Sequence, residues 1–384
     1  MSEKKKILIF IDWFLPGYKA GGPVRSIANI TEHLSEDFIF KIITTDTDYS
    51  ENIPYSSVKS NEWNTLSENV SVYYLSKDKL KIKTIKKLIK DTSFDIAYIN
   101  GIYSFYFSIL PLLILRKSEK KIIVASRGML SEQAFSSKNI KKTIFLKFAG
   151  IFNLYKNVIF QATEKTEAEN IKETIKQYKK IITVSNLPQK TGYLKNKRRN
   201  KKQGSLKLVS IARISPEKNT LYAIQILRQL KYDGKIEFDL YGSVYNENYW
   251  HKCKEIIKTL PENISVNYKN SIENYKVHET FSKYHFSFMP SKGENFGHSI
   301  LESFSAGCPV ITSKNTPWQN LEEKGIGWDI NLSNKEEFVK IIEKCADMSE
   351  KEYNSMSENT FNFAKKFSEK SQAITDTKKM FDDA

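Results

Sequence analysis

Ser291-Lys292-Gly293-Glu294-Asn295-Phe296-Gly297-His298-Ser299-Ile300-Leu301-Glu302-Ser303-Phe304-Ser305-Ala306-Gly307-Cys308-Pro309 reads as a loop feeding a helix. Gly293 and Gly297 mark the loop, because glycine tolerates backbone angles and close approaches that other residues do not. From His298 to Ala306, Ile300, Leu301 and Phe304 recur at helical spacing, and Gly307 followed by Pro309 stops the helix. Glu294 thus stands at a helix mouth and Glu302 about two turns inside the helix. Such a mouth offers unpaired N–H groups and a positive dipole end, which suits a phosphate. Carboxylates only accept hydrogen bonds, which suits sugar or ribose hydroxyls. A nucleotide-sugar pocket fits both. The plainer alternative is a pair of solvated acids near a helix start, where acids are common.

Outward from this stretch, apolar runs alternate with helical patterns. In the second half, strands are expected at Leu206–Ile211, Ile236–Tyr241 and Val310–Thr312, and helices at Thr220–Leu230 and Asn248–Thr259. Segments at Ile264–Asn267, Lys276–Tyr284 and His285–Met289 lead into the loop. The first half gives strands at Ile7–Ile11, Lys41–Thr45, Val70–Leu75, Ile96–Asn100, Ile122–Ala125, Val158–Gln161 and Lys180–Val184. Helical patterns lie between several of them, at Leu80–Lys90, Ser104–Arg116, Asn139–Phe152 and Lys165–Gln177. Alternation of this kind implies mostly parallel sheets covered by helices. At 384 residues the chain exceeds one ordinary core, so two doubly wound halves framing a cleft are expected.

A composition of 40% hydrophobic and 27% charged residues is that of a soluble globular protein. Cys253, Cys308 and Cys345 are too scattered for a metal cluster or a disulfide framework, which fits a reduced, cytoplasmic chain. Asp12 interrupts the first apolar run and Phe105–Leu115 is too short to span a bilayer, so neither a signal peptide nor a transmembrane segment is expected. The net charge of +16 is uneven: residues 1–200 hold 34 Lys and Arg against 19 Asp and Glu, and the rest 26 against 25. The first half therefore suits an anionic partner, a membrane surface or a lipid-linked diphosphate. Lysines and aromatics interleave over Ser137–Lys156, including Lys138, Lys141 and Lys142. That pattern fits either an anionic membrane face or a core helix with a solvated back. Pro188–Ser205, with Lys195, Lys197, Arg198, Arg199, Lys201 and Lys202, has the composition of a linker. No aromatic platform or recognised motif supports nucleic-acid binding.

Candidate ligand groups fall in loops that follow strands. Arg213 and Lys218 lie five apart after Leu206–Ile211, where a guanidinium and an ammonium can neutralise a diphosphate. Gly21-Gly22 sits between the first strand and a helical pattern through Val24, Ile27, Ile30 and Leu34, where an anion can approach backbone N–H groups. Asn100-Gly101 and Ser126-Arg127-Gly128-Met129 occupy comparable positions, although a glycine after a strand often marks only a turn.

Arg213, Lys218, Gly293-Glu294-Asn295-Phe296-Gly297, Glu302 and Ala306-Gly307-Cys308-Pro309-Val310-Ile311 together resemble glycosyltransferase family 4. The likeness extends to Gly21-Gly22, Asn186-Leu187-Pro188 and Thr316-Pro317-Trp318-Gln319-Asn320. Ser126-Arg127-Gly128-Met129-Leu130 and the Trp318 region are similar to members that build bacterial surface polysaccharide. The resemblance implies an α/β GT-B fold, with two Rossmann-like domains facing each other across a cleft. Its implied division is an acceptor domain over 1–187, a basic linker over 188–205, a nucleotide-sugar domain over 206–360, and a C-terminal helix over 361–384. That helix would return to the first domain through Phe363, Phe367 and Met380.

The implied reaction is retaining sugar transfer from a UDP- or GDP-linked donor to a lipid-linked or glycan acceptor, without a metal or cofactor, in the cytoplasm or at the inner membrane face. By motif, Glu294 contacts the donor sugar and Glu302 the ribose, while Arg213 and Lys218 hold the diphosphate. Gly21, Gly22, Gly242, Asn295, Phe296, Gly297 and Ser299 complete the donor set, and Asn100 and Arg127 fall to the acceptor. Two departures stand out. Arg127 occupies the place where many members carry a histidine near the reacting sugar, and Gly242-Ser243-Val244-Tyr245 keeps only the glycine of a small-residue loop. The resemblance leaves His298 open between lining the site and supporting it. An epimerase or phosphorylase of the same fold, or a non-catalytic basic module, are the competing readings.

Overall fold

The computed structural model describes residues 3–131, 140–190, 196, 198–369 and 371–383. The chain forms two compact units, Met1–Lys190 with Ser371–Ala384, and Thr191–Lys370. Unit 1 is built on strands β1 (Lys6–Phe10), β2 (Ile39–Thr45), β3 (Trp63–Ser67), β4 (Val70–Leu75), β5 (Ile96–Asn100), β6 (Lys121–Ala125), β7 (Val158–Ala162) and β8 (Lys180–Thr183). Their order in the sheet is β3-β4-β2-β1-β5-β6-β7-β8. Only β3 runs antiparallel. Helices α1 (Gly22–Leu34), α2 (Ile82–Asp91), α3 (Leu110–Leu115), α4 (Ile140–Ile151) and α5 (Lys165–Thr174) connect them. Central strands such as Ile96–Asn100 are buried throughout, which is why they read as unbroken apolar runs. Alternate residues feed two cores: Leu8 and Phe10 join one, Ile7 and Ile9 the other.

Unit 2 is an all-parallel sheet of β9 (Ser205–Ile211), β10 (Lys235–Tyr241), β11 (Ile264–Tyr268), β12 (Phe286–Met289), β13 (Val310–Ser313) and β14 (Gly327–Ile330), ordered β11-β10-β9-β12-β13-β14. Its helices are α6 (Thr220–Gln229), α7 (Glu247–Ile257), α8 (Asn274–Phe281), α9 (His298–Ser305), α10 (Lys335–Asp347) and α11 (Glu350–Glu369). Helix α12 (Gln372–Asp383) belongs to unit 1. No described helix is long and apolar enough to cross a membrane.

Four expectations are corrected. Of the segment over 188–205, the described part from 198 on is not a solvated linker: Arg199 is 6% exposed and Lys201 2%. Lys195 and Lys197 lie outside the described residues. The Arg199 guanidinium donates to Ser282 O (2.8 Å), Gly307 O and Ser357 Oγ (2.9 and 2.8 Å) and Ala306 O. It thereby caps the C-termini of α8 and α9. Lys201 Nζ donates to Ala346 O and Met348 O (2.8 and 3.2 Å) at the end of α10. Cations favour the negative ends of helix dipoles, so a basic run can be internal glue.

Second, the return to unit 1 begins at Ser371, not at 361. Phe363 and Phe367 stay in unit 2 around Trp318, with ring centroids 6.2 and 5.2 Å from it, whereas Phe381 packs on Phe38, Phe40 and Tyr98 in unit 1. Third, the expected helix over Ser104–Arg116 opens with a π turn at Phe105–Ile109, since Pro111 has no N–H to give Phe107 O. Fourth, the back of α4 is not a purely polar solvated face, since apolar side chains stand exposed there beside Thr143 and Lys147. Ile140, Ile144, Phe148 and Ile151 lie exposed along it. Lys138 lies outside the described residues.

His285 supplies a test of unit 2. Its Nδ1 accepts from the Lys207 N–H (3.0 Å) and its Nε2 bonds Asn200 O (3.2 Å), which fixes a neutral ring. Burial pushes its pKa from 6.5 to about 4. Between those values the unfolded chain holds a proton that the folded chain refuses, so stability present above pH 6.5 is lost as pH falls through the window. That loss is expected to reach about 3 kcal/mol. Calorimetry should show the unit 2 transition dropping over this range, and His285→Gln flattening the slope.

Candidate functional site

Neighbouring strands bring the unit 2 residues together. β9 lies between β10 and β12, and β12 pairs with β13, so the loops after β9 and β12 emerge side by side at the C-terminal sheet edge. Lys292 N donates to Glu217 O (2.8 Å), and Ser299 Oγ at the start of α9 donates to Ile211 O (2.6 Å). The two loops are thereby tied together at the backbone.

On this frame Lys218 Nζ meets both oxygens of Glu294, at 2.5 and 2.7 Å. Ser291 Oγ adds a hydrogen bond to Glu294 at 2.8 Å. The pair is partly screened from water, with 23% of the Lys218 and 10% of the Glu294 side chain exposed. Arg213 lies in the same β9 loop, its guanidinium 5.8 Å from the exposed Tyr245 ring. Ammonium, guanidinium and carboxylate thus share one sheet edge.

Gly297 caps α9 with φ 73°, and a Cβ there would come within 3.0 Å of Trp318 Nε1. Trp318 Nε1 donates to Phe296 O (2.6 Å), so the indole holds the loop by its backbone. The Phe296 ring is buried against Trp318 and, at 4.8 Å, His298. Its side chain is therefore structural, and a ligand role falls to the backbone. No acid stands in the first turn of α9, which leaves its dipole end uncompensated there. Glu302 lies within α9, as spacing predicted. Two buried polar atoms nearby have no partner among the described residues, Asn295 Nδ2 before α9 and Ser243 Oγ after β10. Orphaned polar atoms in a sheet-edge loop are what a polar ligand would satisfy. Gly242 is explained by packing: its N–H donates to Asn270 O (3.0 Å), and a Cβ would collide with Ala212 O.

Unit 1 forms a second cluster. Arg127, at φ 52°, donates to Asn100 Oδ1 (2.7 Å), Tyr98 OH (2.8 Å) and Asn186 Oδ1. All three partners are neutral. The strained turn is held by the buried Glu167 carboxylate, which accepts from Ser126 Oγ (2.5 Å), Gly128 N (2.7 Å), Thr163 N (2.7 Å) and Thr163 Oγ1 (2.6 Å). Strain so supported is characteristic of functional loops. Gly21, φ 74°, caps α1 in open space, and Gly22 is exposed beside it.

Sequence reasoning passed over Asp12, Tyr98 and Glu167. Asp12 follows β1 where the strand order reverses, and accepts from Ser104 Oγ (2.6 Å) after β5. Burial raises its pKa above the usual carboxylate value. A charged residue ending a buried strand was the available signal.

Two α/β units on parallel sheets define a protein of the GT-B fold, matched over nearly its whole length by glycosyltransferase structures. Residues 194–363 match the family described as Glycosyl transferases group 1. Sucrose-phosphate synthase from Thermosynechococcus elongatus superposes with TM-score 0.68 at 13% identity, covering 99% of each chain. Anabaena Alr3699/HepE in complex with UDP and glucose gives 0.66 at 12%, covering 98% of each. WaaG, a glycosyltransferase involved in lipopolysaccharide biosynthesis, gives 0.65 at 10%, covering 97% of this chain and 98% of its own. No curated protein sequence matches this one.

Proposed function

We propose that this chain is a retaining, metal-independent glycosyltransferase of family 4. It moves a sugar from a UDP- or GDP-linked donor to a lipid-linked or polysaccharide acceptor during cell-surface polysaccharide synthesis, on the cytoplasmic side of the membrane. The observation that carries this reading is the Lys218–Glu294 pair beside the mouth of α9. Breaking the bond between sugar and diphosphate builds negative charge on the leaving group. Lys218, Arg213 and the first-turn N–H groups of α9 are fixed donors for that charge. Glu294 and Asn295 take sugar hydroxyls, and Glu302 the ribose. HepE, a neighbour in fold, has been captured with UDP-glucose.

In unit 1, the Arg127 cation stands among neutral acceptors and can face a polar acceptor beside Asn100. The Gly21-Gly22 mouth of α1 offers N–H groups suited to a phosphate. A thermal-shift screen of UDP, GDP and their sugars is expected to raise the melting temperature for one base, and donor plus acceptor to release the matching diphosphate with EDTA present. Absence of any stabilisation or release across both series would overturn the reading. Arg127→Lys is expected to lower acceptor-dependent transfer roughly 10- to 100-fold. Nucleotide-induced stabilisation should stay unchanged; if it disappears instead, Arg127 acts on the donor.

A further inference from the structure

Building on the glycosyltransferase reading, we propose that Asp12 and Trp13 hold a sugar ring of the acceptor, so that this chain extends a saccharide already begun rather than placing the first sugar on a lipid phosphate. Asp12 and Arg127 grip the two ends of one short loop at the C-terminal edge of the unit 1 sheet. Asp12 accepts from Ser104 Oγ (2.6 Å), and Arg127 donates to Asn100 Oδ1 (2.7 Å). That loop lies close against the Arg127 turn, since a Cβ on Gly101 would stand 3.3 Å from Met129 Cε. The carboxylate follows β1 and the guanidinium β6, with only β5 between, so their strands are about 10 Å apart. Among the described residues neither charge is neutralised: Asp12 has no ion pair, and all three Arg127 partners are uncharged. Glu164, after β7 on the same edge, is half-buried and likewise has no ion pair among the described residues. An acid and a base held apart suit a neutral ligand rich in hydroxyls, which donate to the one and accept from the other. A phosphate at this edge would face Asp12 and Glu164 as like charges.

An aromatic surface stands beside the acid. Trp13, half-buried, meets the half-buried Tyr49 edge to face at 5.0 Å with planes 85° apart. Neither Trp13 Nε1 nor the Tyr49 hydroxyl has a partner among the described residues. A sugar ring is amphipathic in the same sense: its C–H face stacks on an aromatic ring while its rim of hydroxyls seeks polar groups. The support is fixed before any ligand arrives, which lowers the cost of ordering it. Asp12 O accepts from Thr45 N (3.1 Å), Thr44 Oγ1 (3.1 Å) and Thr45 Oγ1 (2.6 Å). The Asp48 carboxylate accepts from Tyr18 N (3.0 Å), Lys19 N (3.2 Å) and Tyr49 N (2.7 Å), and Tyr74 OH donates to Leu15 O (2.6 Å). In the transfer, the acceptor hydroxyl oxygen bonds the anomeric carbon as the carbon–oxygen bond to the diphosphate breaks, and the hydroxyl proton passes to the departing diphosphate. Asp12 accepts from a neighbouring hydroxyl of the same ring and orients it. A separate transferase, acting on the carrier itself, must supply this substrate.

The test offers the full chain octyl glycosides of glucose, galactose and N-acetylglucosamine, beside dodecyl phosphate, and reads release of nucleoside diphosphate from the donor that stabilises the protein. At least one glycoside is expected to raise release above that with donor alone, and dodecyl phosphate to leave it unchanged. Asp12→Asn keeps an acceptor oxygen for Ser104 but loses the charge, and should raise the acceptor KM about tenfold or more. Trp13→Leu should raise it by roughly tenfold, and Trp13→Phe, which keeps a ring face, should recover most of that loss. Release with donor alone and nucleotide-induced stabilisation should stay at wild-type levels in all three variants, a pattern that a merely unfolded protein would not give. Release with dodecyl phosphate and with none of the glycosides would overturn the inference while leaving the glycosyltransferase reading intact. An unchanged acceptor KM in a folded Asp12→Asn protein would do the same. Absence of stabilisation and of release with every acceptor would instead overturn the glycosyltransferase reading, and this one with it.

Discussion

Lys218→Ala is expected to lower sugar transfer by about two to three orders of magnitude, the scale seen when a fixed donor to a developing negative charge is removed. The expectation follows from where the ammonium is held. Its loop is tied to the Glu294 loop through Lys292 N and Glu217 O, and its Nζ lies 2.5 Å from Glu294 Oε1. The charge is thus placed before any ligand arrives and needs no reorganisation during the reaction. Glu294→Gln should cause a loss of similar size, because an amide cannot accept at both of its ends. The double variant should lose far less than the product of the two, since each group orients the other. Release of nucleoside diphosphate in the presence of acceptor reads the effect, and circular dichroism checks the fold. Full activity in a folded Lys218→Ala protein would remove the ammonium from the chemistry. Additive losses would show that the pair does not act as a unit.

The parts legible in the sequence were those with a strong local signal. Ile96–Asn100 announced itself because both faces are covered, and Val70–Leu75 because its residues alternate between buried and half-buried. The edge strand Trp63–Ser67 was missed because it is half exposed and polar, and Gly327–Ile330 because it is four residues long and opens on a glycine. Within the site, the meeting of Lys218 with Glu294 depends on β9 and β12 being neighbours, which no local pattern encodes. The Arg127 cluster is similar: Tyr98 and Asn100 reach it from β5 and Asn186 from the segment after β8, far apart in sequence. Composition misled most clearly over 188–205. Lysine and arginine without apolar neighbours read as solvated, although a backbone carbonyl at a helix end is as good a partner for a cation as water.

Arg199→Ala is expected to destabilise unit 2 by about 3–5 kcal/mol, while Arg198→Ala, at an exposed neighbouring position, changes stability by no more than about 0.5 kcal/mol. If the segment were a linker, the two substitutions would be equivalent. Removing the guanidinium strands Ala306 O and part of the Gly307 O shell in a buried region, and Ser282 O in a partly buried one. Asn354 grips the Arg199 backbone on both sides, donating to its carbonyl at 3.3 Å and accepting from its N–H at 3.2 Å, so the segment cannot easily shift to compensate. Arg199→Lys should recover little, because one ammonium cannot span acceptors at the ends of α8 and α9 together with Ser357. For a unit of this size the loss corresponds to roughly 10 °C in the unit 2 transition, best read by calorimetry because two units need not melt together. The consequence reaches the site, since α9 carries Glu302 and begins at the Gly297 loop. Loosening its C-terminal cap should weaken nucleotide-induced stabilisation at temperatures where the protein is still folded. An Arg199→Ala protein with unchanged melting and unchanged nucleotide response would return the basic segment to the role of a tether.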